Sequence, residues 1–272
     1  CFDDWTHALI ADGYLHNHVR MWYASIWIFT LRLPWQLGAA FFYHHLLDAD
    51  AASNTLSWRW VAGLQTIGKH YLARAENIHR YTNGRYFPFG QLNENAQPLP
   101  SERPHPRPNL QLPKQPPLST DKNTTGLLLH GDDLSPEIDW MGPDAIGHLA
   151  GAPNCVIEQH HSPAMNAFYR QAFADALRRN EEHFATTSTL LDTDHWQASV
   201  LGWVRTKNIR TLLTPYAPVG HWADCLNQLE SQLGKDCQLL RITRAWDTTL
   251  WPHADKGFFK FRQCLPQKLD SL

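Results

Sequence analysis

The sequence lacks most of the signatures that place a chain of 272 residues at sight. There is no C-x-x-C. The five cysteines, Cys1, Cys155, Cys225, Cys237 and Cys264, are odd in number and far apart. A disulfide framework and a zinc knuckle are both disfavoured, and a reducing, cytoplasmic setting is expected. Neither G-x-G-x-x-G nor a Walker loop occurs, so a conventional dinucleotide or P-loop site is not indicated. No signal peptide is present. The most apolar run, Met21 to Leu33, is interrupted by Arg32 and is too short to span a bilayer. A net charge of -2 gives no general attraction to nucleic acid or anionic membrane, so any such affinity needs a local basic patch. No internal repeat is visible. The chain starts at Cys rather than Met, in amphipathic sequence, and reads as a fragment whose upstream part is missing.

What is present is enough apolar sequence, 43%, for one large or two ordinary domains, and 12 tryptophans. Trp5, Trp22, Trp27, Trp35, Trp58 and Trp60 crowd the first sixty residues. Such a density serves packing, and it equally serves stacking on a flat cofactor or a nucleobase. Helical spacing predicts helices over 2–12, 14–33, 35–48 and 51–62, with Gly13 and Pro34 as punctuation. Asn83-Gly84 marks a turn. No β period is visible in the first hundred residues, so residues 1–97 are expected to form an all-α domain.

Eight prolines between Pro98 and Pro117 predict an extended linker or strap over 98–122. Beyond it the period changes. Strands are expected at 125–130, 155–158, 209–213 and 237–242, and helices at 163–184, 194–207 and 221–233. That alternation predicts a parallel-sheet α/β, Rossmann-like domain over 123–272. Ligands in such sheets sit beyond the C-terminal strand ends, where His130, Asp132, Asp133, His160, His161 and Tyr216 fall. These residues form either a cleft or solvated loops. The adjacent pairs His44-His45 and His160-His161 point apart on a helix, so no metal site is expected. The closing stretch Trp246–Pro266, aromatic and basic, is expected to pack back on another surface.

The most informative stretch is Asp48-Ala49-Asp50 through Trp60. On a helix Asp50, Asn54 and Trp58 form one ridge, while Trp60 points roughly the other way. By itself this is also the pattern of a core helix with a capping acid and two packed tryptophans. Its company decides. Gly13-Tyr14-Leu15-His16-Asn17-His18-Val19-Arg20-Met21, Leu31–Trp35 and Asp48–Trp60 together resemble the photolyase/cryptochrome family, at the end of its helical FAD-binding domain and over residues 2–62.

The resemblance implies a role for each residue. Asn17, Arg20, Asp48, Ala49, Asp50 and Asn54 would hold FAD, with Arg20 salt-bridged to Asp48 and Asn54 facing flavin N5. Trp58 and Trp35 would belong to the tryptophan chain that carries an electron to the flavin. Met21 and Trp60 would line the cavity for a flipped pyrimidine dimer. The activity implied is blue-light-driven splitting of cyclobutane pyrimidine dimers in DNA. The alternative is a cryptochrome-like photosensor with the same flavin and no repair chemistry. An antenna chromophore is left open. The sequence departs from the family at Leu56-Ser57, where small residues are usual, at Tyr14 for tryptophan and at Arg59 for an amide. Its α/β segment follows the helical domain instead of preceding it.

Overall fold

The computed structural model describes residues 1–48, 50–100, 113, 121–138, 142, 144–152, 161–191, 195–255 and 257–269. The chain divides into two compact units. One comprises Cys1–Pro106 with Ile157–Phe168, the other Arg107–Val156 with Tyr169–Leu272. The first unit thus also takes in residues 157–168, inside the span that the sequence assigns to the α/β domain.

The first unit is helical. Its elements are α1 (Phe2–Asp12), α2 (Asn17–Ser25), a π-helical turn (Ile26–Thr30), α3 (Trp35–His45), α4 (Ala51–Ala62) and α5 (Ala75–Tyr81). Local chemistry sets the boundaries. Gly13, in the left-handed region at φ 64°, ends α1, and Gly63 does the same for α4 at φ 83°. The Asp50 carboxylate caps α4 by accepting the Ser53 N–H at 2.6 Å.

The single helix expected over 14–33 divides in two. The His16 ring caps α2 by accepting the His18 N–H. Past Ser25 the ladder widens to the π pattern, with Leu31 N–H bonded to the Ile26 carbonyl at 2.9 Å. The third helix stops at His45 instead of 48. Trp5, Leu9, Trp22, Tyr23, Ile28, Phe29, Phe42, Trp58 and Ile78 form its core. Of the stretch 98–122 the structure describes 98–100, 113, 121 and 122; the Leu99 N–H bonds to the Ala62 carbonyl at the end of α4.

The second unit is a five-stranded parallel sheet. Its strands are β1 (Thr125–Leu129), β2 (His148–Gly151), β3 (Ser188–Leu190), β4 (Thr211–Pro215) and β5 (Gln238–Ile242), in the order β3-β2-β1-β4-β5. Helices α6 (Pro163–Phe184, its residues from Tyr169 on in this unit), α7 (Trp196–Thr206) and α8 (His221–Gln232) alternate with the later strands, and α9 (Ala245–Leu250) and α10 (Phe258–Leu269) close the chain. The alternation of strand side chains divides the core. Leu128, Ala150 and Leu212 face Val200, Trp203, Trp222 and Leu226, whereas Leu127, Leu129 and Leu213 face Phe173, Leu177 and Phe184. Helices cover both faces, as a sheet of buried parallel strands requires.

The expected strand at 155–158 lies outside the described residues. The strand beside β1 is His148–Gly151, and the strand expected at 209–213 runs instead over Thr211–Pro215. The closing segment is helical, and Phe258 and Phe259 on α10 stay exposed. Among the described residues no helix is long and apolar enough to cross a membrane.

His130, just past β1, is fully buried against Trp222. Its Nε2–H donates to the Pro215 carbonyl at 2.9 Å, and its Nδ1 accepts the Asp132 N–H at 3.3 Å. Only a neutral ring can do both. Burial lowers its pKa to about 4. As pH falls below the ordinary histidine value, the unfolded chain takes up a proton that the folded one refuses. Stability is therefore complete above pH ~6.5 and declines between there and about 4, by roughly 3 kcal/mol. Urea unfolding of the protein and of His130→Leu across this range should show a flatter acid limb in the variant. Parallel limbs would contradict the assignment.

Candidate functional site

Two separated segments meet at one cleft. The turn after α1 brings them together. Leu47 N–H donates to the Gly13 carbonyl at 2.9 Å, and a Cβ on Gly13 would lie 2.6 Å from Leu47 Cγ. The next residue, Asp48, is thereby placed beside α2. There Arg20 is held from three sides. Its Nε donates to the Leu15 carbonyl at 2.7 Å, its Nη2 to Asp48 Oδ2 at 3.1 Å, and its guanidinium lies 5.6 Å from the Tyr14 ring centre. The Asp48 side chain remains 61% exposed, so this pair adds little stability, on the order of 0–1 kcal/mol. What it does is fix a cation and an anion side by side at the cleft edge.

The opposite wall is α4. Asn54 donates from Nδ2 to the Ala39 carbonyl at 2.7 Å, which pins α4 to α3 and fixes the amide orientation. Its Oδ1, an acceptor, and the second Nδ2–H are left for a ligand. One turn on, Trp58 is almost wholly buried, with its ring against Phe42 at 5.0 Å and Trp27 at 6.2 Å, both edge to face. A Cβ on Gly38 would lie 2.2 Å from Trp58 Cη2, so α3 and α4 approach closely only because residue 38 has none.

Asn17, Arg20, Met21, Asp48, Asp50, Asn54, Trp58 and Trp60 all line this cleft, whose volume is about 560 Å³. That is an ordinary size for a small-molecule site. Asp50 differs from the expected ridge: it precedes the helix and spends one carboxylate oxygen on the cap. Trp60 differs too. Although two residues from Trp58, it reaches the same cleft at its rim, 41% exposed and stacked on Tyr71 at 5.7 Å. Trp35 is buried outside the cleft, with the Arg59 guanidinium 5.7 Å from its ring centre. It makes no ring contact with Trp58. Ala49 lies outside the described residues.

Ser53, Phe42, Leu46 and Gln65 also line the cleft and were not singled out from sequence. The Ser53 signal was available, since the third residue after an N-cap is where a cap bond forms. Phe42 and Leu46 read as ordinary core. Among the described residues no group of three or more His, Cys, Asp or Glu converges as a metal site.

The donor set suits a flavin. Arg20 and Asn17 can donate to ring carbonyls, and the two carboxylates can accept from a ring N–H and from ribityl hydroxyls. The apolar floor of Phe42 and Trp58 matches a flat aromatic system.

Residues 3–85 match the family model for the FAD binding domain of DNA photolyase. A deoxyribodipyrimidine photo-lyase of Streptomyces griseus is 45% identical over 58 residues, 21% of this chain and 13% of that protein. Cryptochrome-1 of Arabidopsis thaliana is 40% identical over 55 residues, 20% of this chain and 8% of that protein. A cryptochrome DASH of Idiomarina loihiensis is 35% identical over 86 residues, 32% and 18% respectively. The chain thus spans less than a fifth of these relatives' length. No solved structure matches it. Residues 3–85 are thus similar to the FAD binding domain of DNA photolyase, a resemblance that supports FAD as the ligand for this cleft.

The Asp50 cap separates two effects. Asp50→Asn keeps the cap and removes the charge, whereas Asp50→Ala removes both. Thermal or urea unfolding should show Asp50→Ala destabilised by about 1 kcal/mol and Asp50→Asn by much less. FAD affinity, read by equilibrium dialysis, should fall in both. Equal unfolding curves for the two variants would contradict the cap.

Proposed function

We propose that this protein is a FAD-dependent, blue-light-driven DNA-repair lyase that splits cyclobutane pyrimidine dimers. In this reading residues 1–97 are the flavin-binding unit, 98–122 a linker and 123–272 a separate α/β unit. One observation carries it. Eight residues from two segments, each assigned a task by the resemblance, line a single cleft. A bound flavin would supply light-driven one-electron chemistry for opening the dimer's ring.

The chain's own residues bind, orient and conduct. Arg20 and Asp48 form a fixed dipole at the cleft edge, where the cation offsets negative charge on a reduced flavin. Asp48 and Asp50 would accept hydrogen bonds from ring and ribityl donors, and the resemblance adds Ala49 and Asn17 to the residues that would hold the cofactor. Asn54, oriented by its Nδ2–H bond to the Ala39 carbonyl, would face flavin N5, as the resemblance implies. Trp58, buried in the cleft floor, is placed to pass an electron to the flavin, and the resemblance adds Trp35 to the same path. At the rim, Trp60 presents half of its indole for stacking on a flipped base, with Met21 beside it. A dimer's weak pairing lowers the cost of flipping it out.

The second reading is a cryptochrome-like photosensor. Cryptochromes match this segment about as well as photolyases do, and Trp60 already stacks on Tyr71, which leaves one face for a base. The two readings part at one assay. Blue light should reverse dimers in single- or double-stranded DNA in the presence of the protein holding reduced FAD. No reversal by the fully reduced protein would overturn repair and leave the photosensor. Under either reading Trp58→Phe should slow flavin photoreduction, and an unchanged rate would remove Trp58 from the path.

A further inference from the structure

Tyr71 does not line the cleft, yet it touches the indole at the cleft rim. Its ring centre is 5.7 Å from that of Trp60 and the two planes differ by 24°, a stacked pair. Trp60 stands near the end of α4 and is 41% exposed. Leu56, one turn earlier on the same face, also lines the cleft and is half-exposed. A large side chain in such a place has several staggered rotamers open to it. Contact with a neighbour selects one. Among the described residues the ring in contact with Trp60 is that of Tyr71.

Tyr71 is itself firmly held. Its backbone N–H donates to the Val61 carbonyl in the last turn of α4 at 3.1 Å. Just before it, His70 Nε2–H donates to the Ala96 carbonyl at 2.8 Å, and just after it the Ala73 N–H donates to Ser25 Oγ on α2 at 2.8 Å. These bonds tie the strip 70–73 to α4, to α2 and to the segment around Ala96. The Tyr71 ring packs against the helical core. Gly63 starts the turn that leads there: it is left-handed, and a Cβ on it would lie 3.2 Å from His70 Cβ. One face of Trp60 is thus covered by a ring on a fixed backbone, and the opposite face is left for a ligand.

We infer that Tyr71 is a positioning residue, which holds the Trp60 indole as a one-sided platform on which a flipped dimer stacks. The inference rests on the repair reading proposed above. Without the Tyr71 ring, binding a base would have to order the Trp60 side chain, and the lost rotamer freedom would weaken affinity. With it, the platform is ordered before the DNA arrives. The effect belongs to binding. Tyr71 reaches neither the cleft floor around Trp58 nor the polar edge at Arg20 and Asp48, so it leaves the flavin and the rate at saturating dimer unchanged.

The test uses the FAD-loaded, reduced protein and a single-stranded oligonucleotide carrying one thymine dimer. Binding in the dark is read by fluorescence anisotropy, and repair under blue light as KM and kcat. Tyr71→Ala should weaken dimer binding and raise KM about fivefold, or ~1 kcal/mol, with FAD affinity and kcat at the wild-type values. Tyr71→Phe, which keeps the stacked ring, should bind as wild type. Tyr71→Leu keeps bulk without a flat ring; it should match Tyr71→Ala and takes its place if that variant does not fold. In a Trp60→Ala background the Tyr71 substitution should have no further effect, because Tyr71 acts through Trp60. Wild-type binding by Tyr71→Ala or Tyr71→Leu, or additive losses in the double variant, would overturn the inference, while weak binding by Trp60→Ala keeps the repair reading standing. Loss of FAD together with the dimer would overturn it too, since Tyr71 would then be part of the scaffold. Should Trp60→Ala bind the dimer as wild type does, the repair reading of the rim fails along with it.

Discussion

The helical unit depends on the contact between the Trp58 indole and the bare Cα of Gly38. Without a side chain at 38, α4 can lie close enough to α3 for Asn54 to reach the Ala39 carbonyl and for Trp58 to sink between Phe42 and Trp27. That packing sets the cleft floor. It also fixes the register of α4, and therefore where Asp50, one turn before Asn54, and Trp60, just past Trp58, come to stand. Interiors packed this tightly do not absorb even one methyl without movement.

The polar edge is built by different means. No buried ion pair is involved; Arg20 and Asp48 meet near solvent, where their attraction is weak. Their positions follow from backbone geometry, through the left-handed Gly13, its bond to Leu47, and the Arg20 bond to the Leu15 carbonyl. A rigid aromatic floor with a charged, solvated rim is an arrangement suited to a flat ring carrying a polar chain. It sets the charges at the solvated edge and the stacking surface in the buried floor.

Much of this was legible in the sequence, for identifiable reasons. The start of α4 followed from a capping acid, a local signal. The sites for Arg20, Asp48, Asn54 and Trp58 followed from the family pattern, since residues 28 apart carry no local signal that they meet. Three features were not legible. The π-helical turn at Ile26–Thr30 depends on tertiary packing, and the apolar run around it reads as an unbroken helix. Strand β2, His-Leu-Ala-Gly, contains no β-branched residue and no Phe, Tyr or Trp to mark it, and β3 is only three residues long at the sheet edge. The contact of Trp27 with Trp58 is set by a glycine on a third element, which no periodicity records.

The central claim is that the cleft between α2 and α4 holds FAD with its ring close to Trp58. The most direct measurement is a titration of the protein with FAD, followed by flavin fluorescence. The structure predicts saturable binding in which flavin emission is strongly quenched, with the quenching relieved in Trp58→Phe. A flavin signal that never saturates, or bound flavin that emits as it does free in solution, would contradict it.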